Sequence, residues 1–168
     1  MFSKEETMDE ILEILEKDAR IPAEDIATML KKKTQSVKEA IKKYEKEGVI
    51  LKYKAVINRE LMREADSQVR ALIEVNITPQ KDLGFDKIAE RIYSFPEVTS
   101  CYLLSGTYDL LLIVEGKSLH TVAQFVAEKL ASLEHIKGTT THFLLRKYKE
   151  DGVVLKHKDE NKRIAISY

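Results

Sequence analysis

From Arg70 onward the spacing of apolar residues switches between two periods, and that switching limits the fold more than any other feature. RALIEVNIT (70–78) puts Ala71, Ile73, Val75 and Ile77 on one side, the period of a half-buried strand. Phe85, Ile88, Ala89 and Ile92 follow at helical spacing, and Pro96 ends that helix. VTSCYLLS (98–105) and YDLLLIVE (108–115) read as two strands with only Gly106 and Thr107 between them, a hairpin signal. Leu119, Val122, Ala123, Val126 and Leu130 mark a second helix capped at Ser118, and IKGTTTHFLLRKY (136–148) is a last main strand. The order βαββαβ is the ferredoxin-like plan, an α+β sheet with helices on one face. GVVLK (152–156) is expected to add an edge strand. YDLLLIVE is apolar at nearly every position, so its other face also avoids water. The simplest cover is the same sheet from a second copy, which predicts a homodimer.

Residues 7–48 keep helical period. Thr7 and Glu10 have the spacing of a capping box, with Met8, Ile11, Leu12 and Leu15 behind it and an end near Lys17. Pro22 suits the first turn of a second helix that turns Ile26, Ala27 and Leu30 inward. A third helix starts at Thr34 or Ser36, with Ser36 and Glu39 forming another box. It buries Val37, Ala40, Ile41 and Tyr44 and stops at Gly48. VILKYKAVIN (49–58) reads as a strand or wing. Three helices and a strand fit a winged helix-turn-helix, and equally a small three-helix bundle with a solvated lysine face. The expected organisation is residues 1–58 as the helical domain, 59–68 as linker, 69–156 as the sheet domain and 157–168 as a polar tail.

Charge is distributed in blocks. The chain has 28 basic and 28 acidic residues, so it is no polycation. Residues 1–30 hold three basic side chains against nine acidic, which is −6; residues 31–54 hold nine lysines against Glu39, Glu45 and Glu47, which is +6. Adjacent blocks of opposite sign suggest a domain with one positive face. No apolar run approaches a membrane span, and the acidic N-terminus lacks the apolar core of a signal peptide. The lone Cys101, inside VTSCYLL, reads as buried filler, and a chain without an internal disulfide fits the cytoplasm. His120, His135, His142 and His157 have no carboxylate or cysteine at metal-ligand spacing. Phosphate loops, Cys-x-x-Cys and Gly-x-Ser-x-Gly are absent as well, so the expectation is no catalytic residue, no metal and no cofactor.

Taken together the two halves resemble the Lrp/AsnC (leucine-responsive, feast/famine) transcription regulators over about residues 7–156. The resemblance rests on ILEILEKDARIPAEDIATML with the Asp18–Arg20 pair, and on Glu45, Gly48 and Ile50 of IKKYEKEGVILKYKAVIN. In the second half it rests on Pro96–Val98, on Gly106, Tyr108 and Asp109, and on Thr139 and Thr141. It implies a winged helix-turn-helix that binds double-stranded DNA. It also implies a ferredoxin-like domain that forms a dimer, or a higher assembly up to an octamer, and senses a small molecule, usually an amino acid. Two departures from the family stand out: Lys32-Lys33 stands where members have Leu-Ser, and Ala40 where they have Arg. These departures leave a sensing or assembly module without DNA binding as one alternative. A tetrapyrrole-processing enzyme of related fold is another.

On this resemblance the third helix enters the major groove. Gln35, Ser36, Lys38 and Glu39, near its N-terminal end, are the expected base readers, with Thr34 as a candidate cap. Lys31, Lys32, Lys33, Lys42, Lys43 and Lys46 are expected to hold phosphates, and Lys52, Tyr53 and Lys54 to reach the backbone from the following strand. The resemblance places an effector at Gly106, Tyr108 and Asp109. Asp109 would meet an α-ammonium group, and backbone N–H groups or the Thr139 and Thr141 hydroxyls an α-carboxylate. Read structurally instead, Gly106 supplies the freedom of a tight hairpin and Asp109 caps it.

Overall fold

The structure is a computed structural model that describes residues 9–62, 68–78 and 84–155. The chain divides into two compact units, Met1–Val56 and Ile57–Tyr168, so the division falls two residues before the expected end of the helical domain. Residues 63–67 of the expected linker and the tail from Lys156 lie outside the described residues.

The first unit contains α1 (Glu10–Lys17), α2 (Ala23–Met29) and α3 (Thr34–Lys46). Ile11, Leu15, Ile26, Ala27 and Val37 are buried, with Ala40, Ile41 and Ile50 packed against them. The caps differ from the sequence expectation. Asp9 caps α1, its carboxylate accepting from Ile11 N at 2.8 Å; Thr7 lies outside the described residues. Lys33 occupies the N-cap of α3 without a side-chain cap bond, and Thr34 is the first helical residue. The Ser36–Glu39 box does not form, because Ser36 already lies inside the helix, where Glu39 instead accepts from Gln35 Nε2 at 2.8 Å.

The C-terminal ends of α2 and α3 share one geometry. Lys32 N donates to Ala27 O and Lys31 N to Thr28 O; Val49 N donates to Tyr44 O and Gly48 N to Glu45 O. Each is the paired closure that needs one left-handed residue after the helix. Gly48 adopts φ +73° without penalty, whereas Lys31 adopts φ +52° with a Cβ. Residues 49–58 form no strand, because no described segment offers them a ladder, and Leu51 is 88% exposed.

The second unit carries β1 (Val69–Ile77), α4 (Gly84–Tyr93), β2 (Val98–Leu103), β3 (Leu110–Gly116), α5 (Leu119–Gln124) and β4 (Ile136–Phe143). The strands form one antiparallel sheet in the order β2-β3-β1-β4, the ferredoxin-like arrangement. Ala71, Ile73, Val75 and Ile77 of β1 and Leu110, Leu112 and Val114 of β3 are buried on one face beneath Ile88, Ile92, Val122, Phe125 and Leu130. Ser118 caps α5 as expected, accepting from Thr121 N at 3.1 Å; the helix then widens to a π-helix over Phe125–Leu130.

Four expectations change. The β2–β3 connection is not a two-residue turn; it runs from Leu104, whose N–H donates to Asp109 O at 2.9 Å, and both strands are shorter than expected. Gly106 has no positive φ and open space around it, so the loop makes no special demand for glycine there. Val153–Val154, labelled β6, joins Lys149–Glu150 (β5) in a separate small hairpin instead of extending the main sheet. Cys101 is half-buried against the core rather than fully enclosed, and burial pushes its thiol up.

Among the described residues of the second unit, no helix packs on the other face of the sheet. Register places Leu72, Glu74, Leu111, Ile113, Tyr102, Thr140 and His142 on it. At one end Arg70 donates to Glu115 and, at 3.1 Å, to Glu150, which ties the small hairpin to this face.

Candidate DNA-reading helix and effector loop

The buried face of α3 is centred on Val37 and Tyr44, so the opposite line of the helix is Gln35, Glu39, Lys42 and Lys46. All four are exposed. Tyr44 fixes the helix to α1, its hydroxyl donating to Asp9 Oδ2 at 2.7 Å. That bond, with the Ile11 N–H and Lys32 nearby, holds the Asp9 carboxyl below the usual range against the effect of burial.

The expected readers and phosphate holders do not present a uniform cationic surface. Lys38 Nζ lies 2.5 Å from Glu24 of α2, and Lys32 lies 3.4 Å from Glu10 of α1. Lys43 reaches Glu47 at 3.9 Å, and Gln35 is held by Glu39. Tyr53 donates to Glu45 at 2.9 Å. Lys31, Lys33, Lys42, Lys46, Lys52 and Lys54 form no ion pair among the described residues, and Ser36 is exposed on the flank of α3. Sequence reasoning missed Glu10 and Glu24 as partners. The signal was present in the −6 block beside the +6 block, but the pairing requires knowing which helix faces meet.

In the second unit Asp109 sits one residue before Leu110, which pairs with Val75 of β1. Its Oδ2 accepts from Ile77 N at 2.7 Å, where the β1–β4 register shifts, and its own N–H donates to Val75 O at 3.1 Å. The carboxylate therefore satisfies a strand N–H that the ladder leaves over. Oδ1 has no protein hydrogen bond among the described residues. Tyr108 is half-buried beside it and Gly106 is exposed. Thr139 and Thr141 lie opposite Val75 and Ile73 on edge strand β4, on the helix-covered side, with β1 between them and β3. Two strand spacings separate Thr139 from the Asp109 end of β3, roughly 10 Å. One protomer thus brings Gly106, Tyr108 and Asp109 together but not the two threonines. No described group of three or more His, Cys, Asp or Glu could hold a metal ion. No described helix is long and apolar enough to cross a membrane.

A helix-turn-helix with a lysine-bearing third helix, followed by a ferredoxin-like domain, defines the class: a two-domain DNA-binding transcription regulator. Residues 6–50 match the winged helix-turn-helix DNA-binding model, and residues 70–154 match the Lrp/AsnC ligand binding domain. The chain is 48% identical over 160 residues to YugG of Bacillus subtilis, an uncharacterized HTH-type transcriptional regulator, covering 94% of this chain and 95% of that one. The chain belongs to the Lrp/AsnC family. Among solved structures it resembles the transcriptional regulator NMB0573 of Neisseria meningitidis in complex with L-Met (TM-score 0.66, 24% identity, 86% of this chain and 94% of that one). It likewise resembles the feast or famine regulatory protein Rv3291c of M. tuberculosis complexed with L-methionine (TM-score 0.66, 21% identity, 89% and 100%). At these identities the likeness to the solved structures concerns the fold.

Proposed function

We propose that the chain is a cytoplasmic regulator that binds specific duplex sites as a dimer, through α3, and is modulated by an amino acid at the Gly106–Asp109 loop. The supporting observation is the exposed line of α3. It puts Gln35 and Glu39 at the N-terminal half, where base edges are reached, and Lys42 and Lys46, without an ion pair among the described residues, further along, where phosphates run. The assay is fluorescence anisotropy on the chain's own upstream region. Lys38→Glu with Lys42→Glu reverses four charges per protomer pair and is expected to abolish binding at about 100 mM salt. Unchanged binding removes α3 from the interface.

The dimer reading rests on the sheet face opposite α4 and α5, where register lines up half-buried Leu72, Leu111 and Ile113 beside exposed Tyr102 in one aliphatic and aromatic strip. A stable monomer at micromolar concentration in sedimentation would rule it out. The effector reading rests on the family match and on Oδ1 of Asp109, free to accept from an ammonium group. Thr139 and Thr141 of the same protomer are too far away to hold the other end of one small amino acid. That end falls to N–H groups of residues 105–108 or to a second protomer. Because Asp109 also holds Ile77 N, the informative variant is Asp109→Asn, which keeps a carbonyl oxygen and drops the charge. Thermal shifts from the twenty amino acids should include at least one response that Asp109→Asn loses. A response retained in the variant sinks the assignment.

A further inference from the structure

Helix α4 and the loop that leads into β4 border a partly open hollow of about 200 Å³, lined by Lys87, Ile88, Arg91, Leu133, Glu134 and His135. Two independent features there are unfavourable for a plain surface. Lys87 and Arg91 stand one helical turn apart on α4, exposed, with no ion pair among the described residues. Like charges at that spacing repel unless an anion lies between them. On the opposite wall His135 adopts φ +76°, a left-handed conformation that a β-carbon makes costly. Its carbonyl accepts from Thr78 N at 2.8 Å, which clamps the strained residue to the end of β1. The ring is largely covered, while the neighbouring Glu134 carboxylate, 3.9 Å away, is 82% exposed. The floor is apolar: Ile88 is buried and Leu133 half-buried.

We propose that this hollow binds a small organic acid, its carboxylate between Lys87 and Arg91 and its hydrocarbon body on Ile88 and Leu133. A volume of about 200 Å³ is below the range of drug-sized ligands, so the ligand is a short-chain acid. An inorganic anion would satisfy the cations but leave the apolar floor wet. Glu134 at the rim repels anions in proportion to their charge, so it penalises multiply charged anions more than a single carboxylate. The site is separate from the Asp109 loop and does not rest on DNA binding.

The experiment is calorimetric titration of the full-length protein with acetate, butyrate and hexanoate, with hexanol, hexylamine and inorganic phosphate as comparisons. Affinity is expected to rise about fourfold per added methylene. Hexanoate should exceed both hexanol and hexylamine by about tenfold or more. Lys87→Ala with Arg91→Ala should cost about tenfold or more in hexanoate affinity while leaving the ligand-free thermal midpoint unchanged or raised. His135→Gly should raise that midpoint, because glycine accepts the conformation, and should weaken hexanoate. Asp109→Asn should change nothing. Several results would overturn the proposal: no measurable acid binding, hexanol equal to hexanoate, phosphate as tight as hexanoate, the double variant binding as the native chain does, or loss in Asp109→Asn.

Discussion

Glu24→Gln should make DNA binding both tighter at low salt and steeper in its salt dependence. In the free protein Lys38 of α3 is neutralised by Glu24 of α2, so it carries no territorial counterion to release when a phosphate replaces its partner. Three lysines that belong to α3 or its N-cap form no ion pair among the described residues: Lys33, Lys42 and Lys46. The proposed dimer then offers six, and a slope of about −0.9 per contact gives about −5.4 in log K against log salt. Between about 50 and 200 mM salt the affinity should fall about two-thousandfold. Glu24→Gln frees one more lysine per protomer, moving the slope to about −7.2 and the fall to about twenty-thousandfold. Both partners are exposed, so the folded state should keep its thermal midpoint. Anisotropy on one operator duplex at five salt concentrations measures both slopes. Equal slopes for the native chain and Glu24→Gln would show that Lys38 does not meet a phosphate when its partner is gone. A native slope near zero would refute the whole electrostatic reading of α3.

Other perturbations have defined outcomes. Asp9→Ala removes the cap of α1 together with the Tyr44 anchor and should cost the first unit about 1–2 kcal/mol in urea unfolding, against about 1 kcal/mol for Tyr44→Phe. Lys31→Gly relieves the left-handed strain after α2 and should stabilise by about 1 kcal/mol in the same assay, while Gly48→Ala should destabilise by a similar amount. Arg70→Met leaves the largely covered Glu115 and Glu150 without their shared cation, and about 2–4 kcal/mol should be lost from the second unit. Acid should also unfold the chain in a predictable window. Asp9 through Tyr44, Glu97 through Lys129, and Glu150 through Lys147 and Arg70 all have carboxyl groups below the ordinary range. The unfolded chain therefore takes up protons first as pH falls. Their stabilisation is complete above the ordinary carboxylate range and is lost below it, so thermal midpoints should hold near pH 7 and drop below about pH 5.

The sheet domain was legible because a strand buried on one face writes its own periodicity: Ala71, Ile73, Val75 and Ile77 face the core as the alternation requires. The termini of helices and strands were less legible, because they depend on competition between local options. Ser36 has the composition of a cap but is the third residue of α3, and Asp9 stands at the N-cap of α1. Gly106 and Thr107 look like a tight turn, yet the strands part earlier once Asp109 is recruited to the leftover N–H of Ile77. The lysine block announced α3 as the cationic element. What no linear pattern displays is that acidic side chains of α1 and α2 cancel part of it, nor that Thr139 and Asp109 lie two strands apart.

As the proposed dimer surface, the sheet face opposite α4 and α5 bears on fidelity among paralogues. Its centre is a featureless aliphatic strip of Leu72, Leu111 and Ile113, which any similar strip could match. At its borders stand the fixed charges of Arg70 with Glu115 and the Glu74–His142 contact at 3.2 Å. In a cell that makes several proteins of this build, the greasy middle would let subunits meet indiscriminately. The decision to stay together or trade places would fall to a handful of marginal charges, and exchanging those charges between two paralogues should exchange their choice of companion.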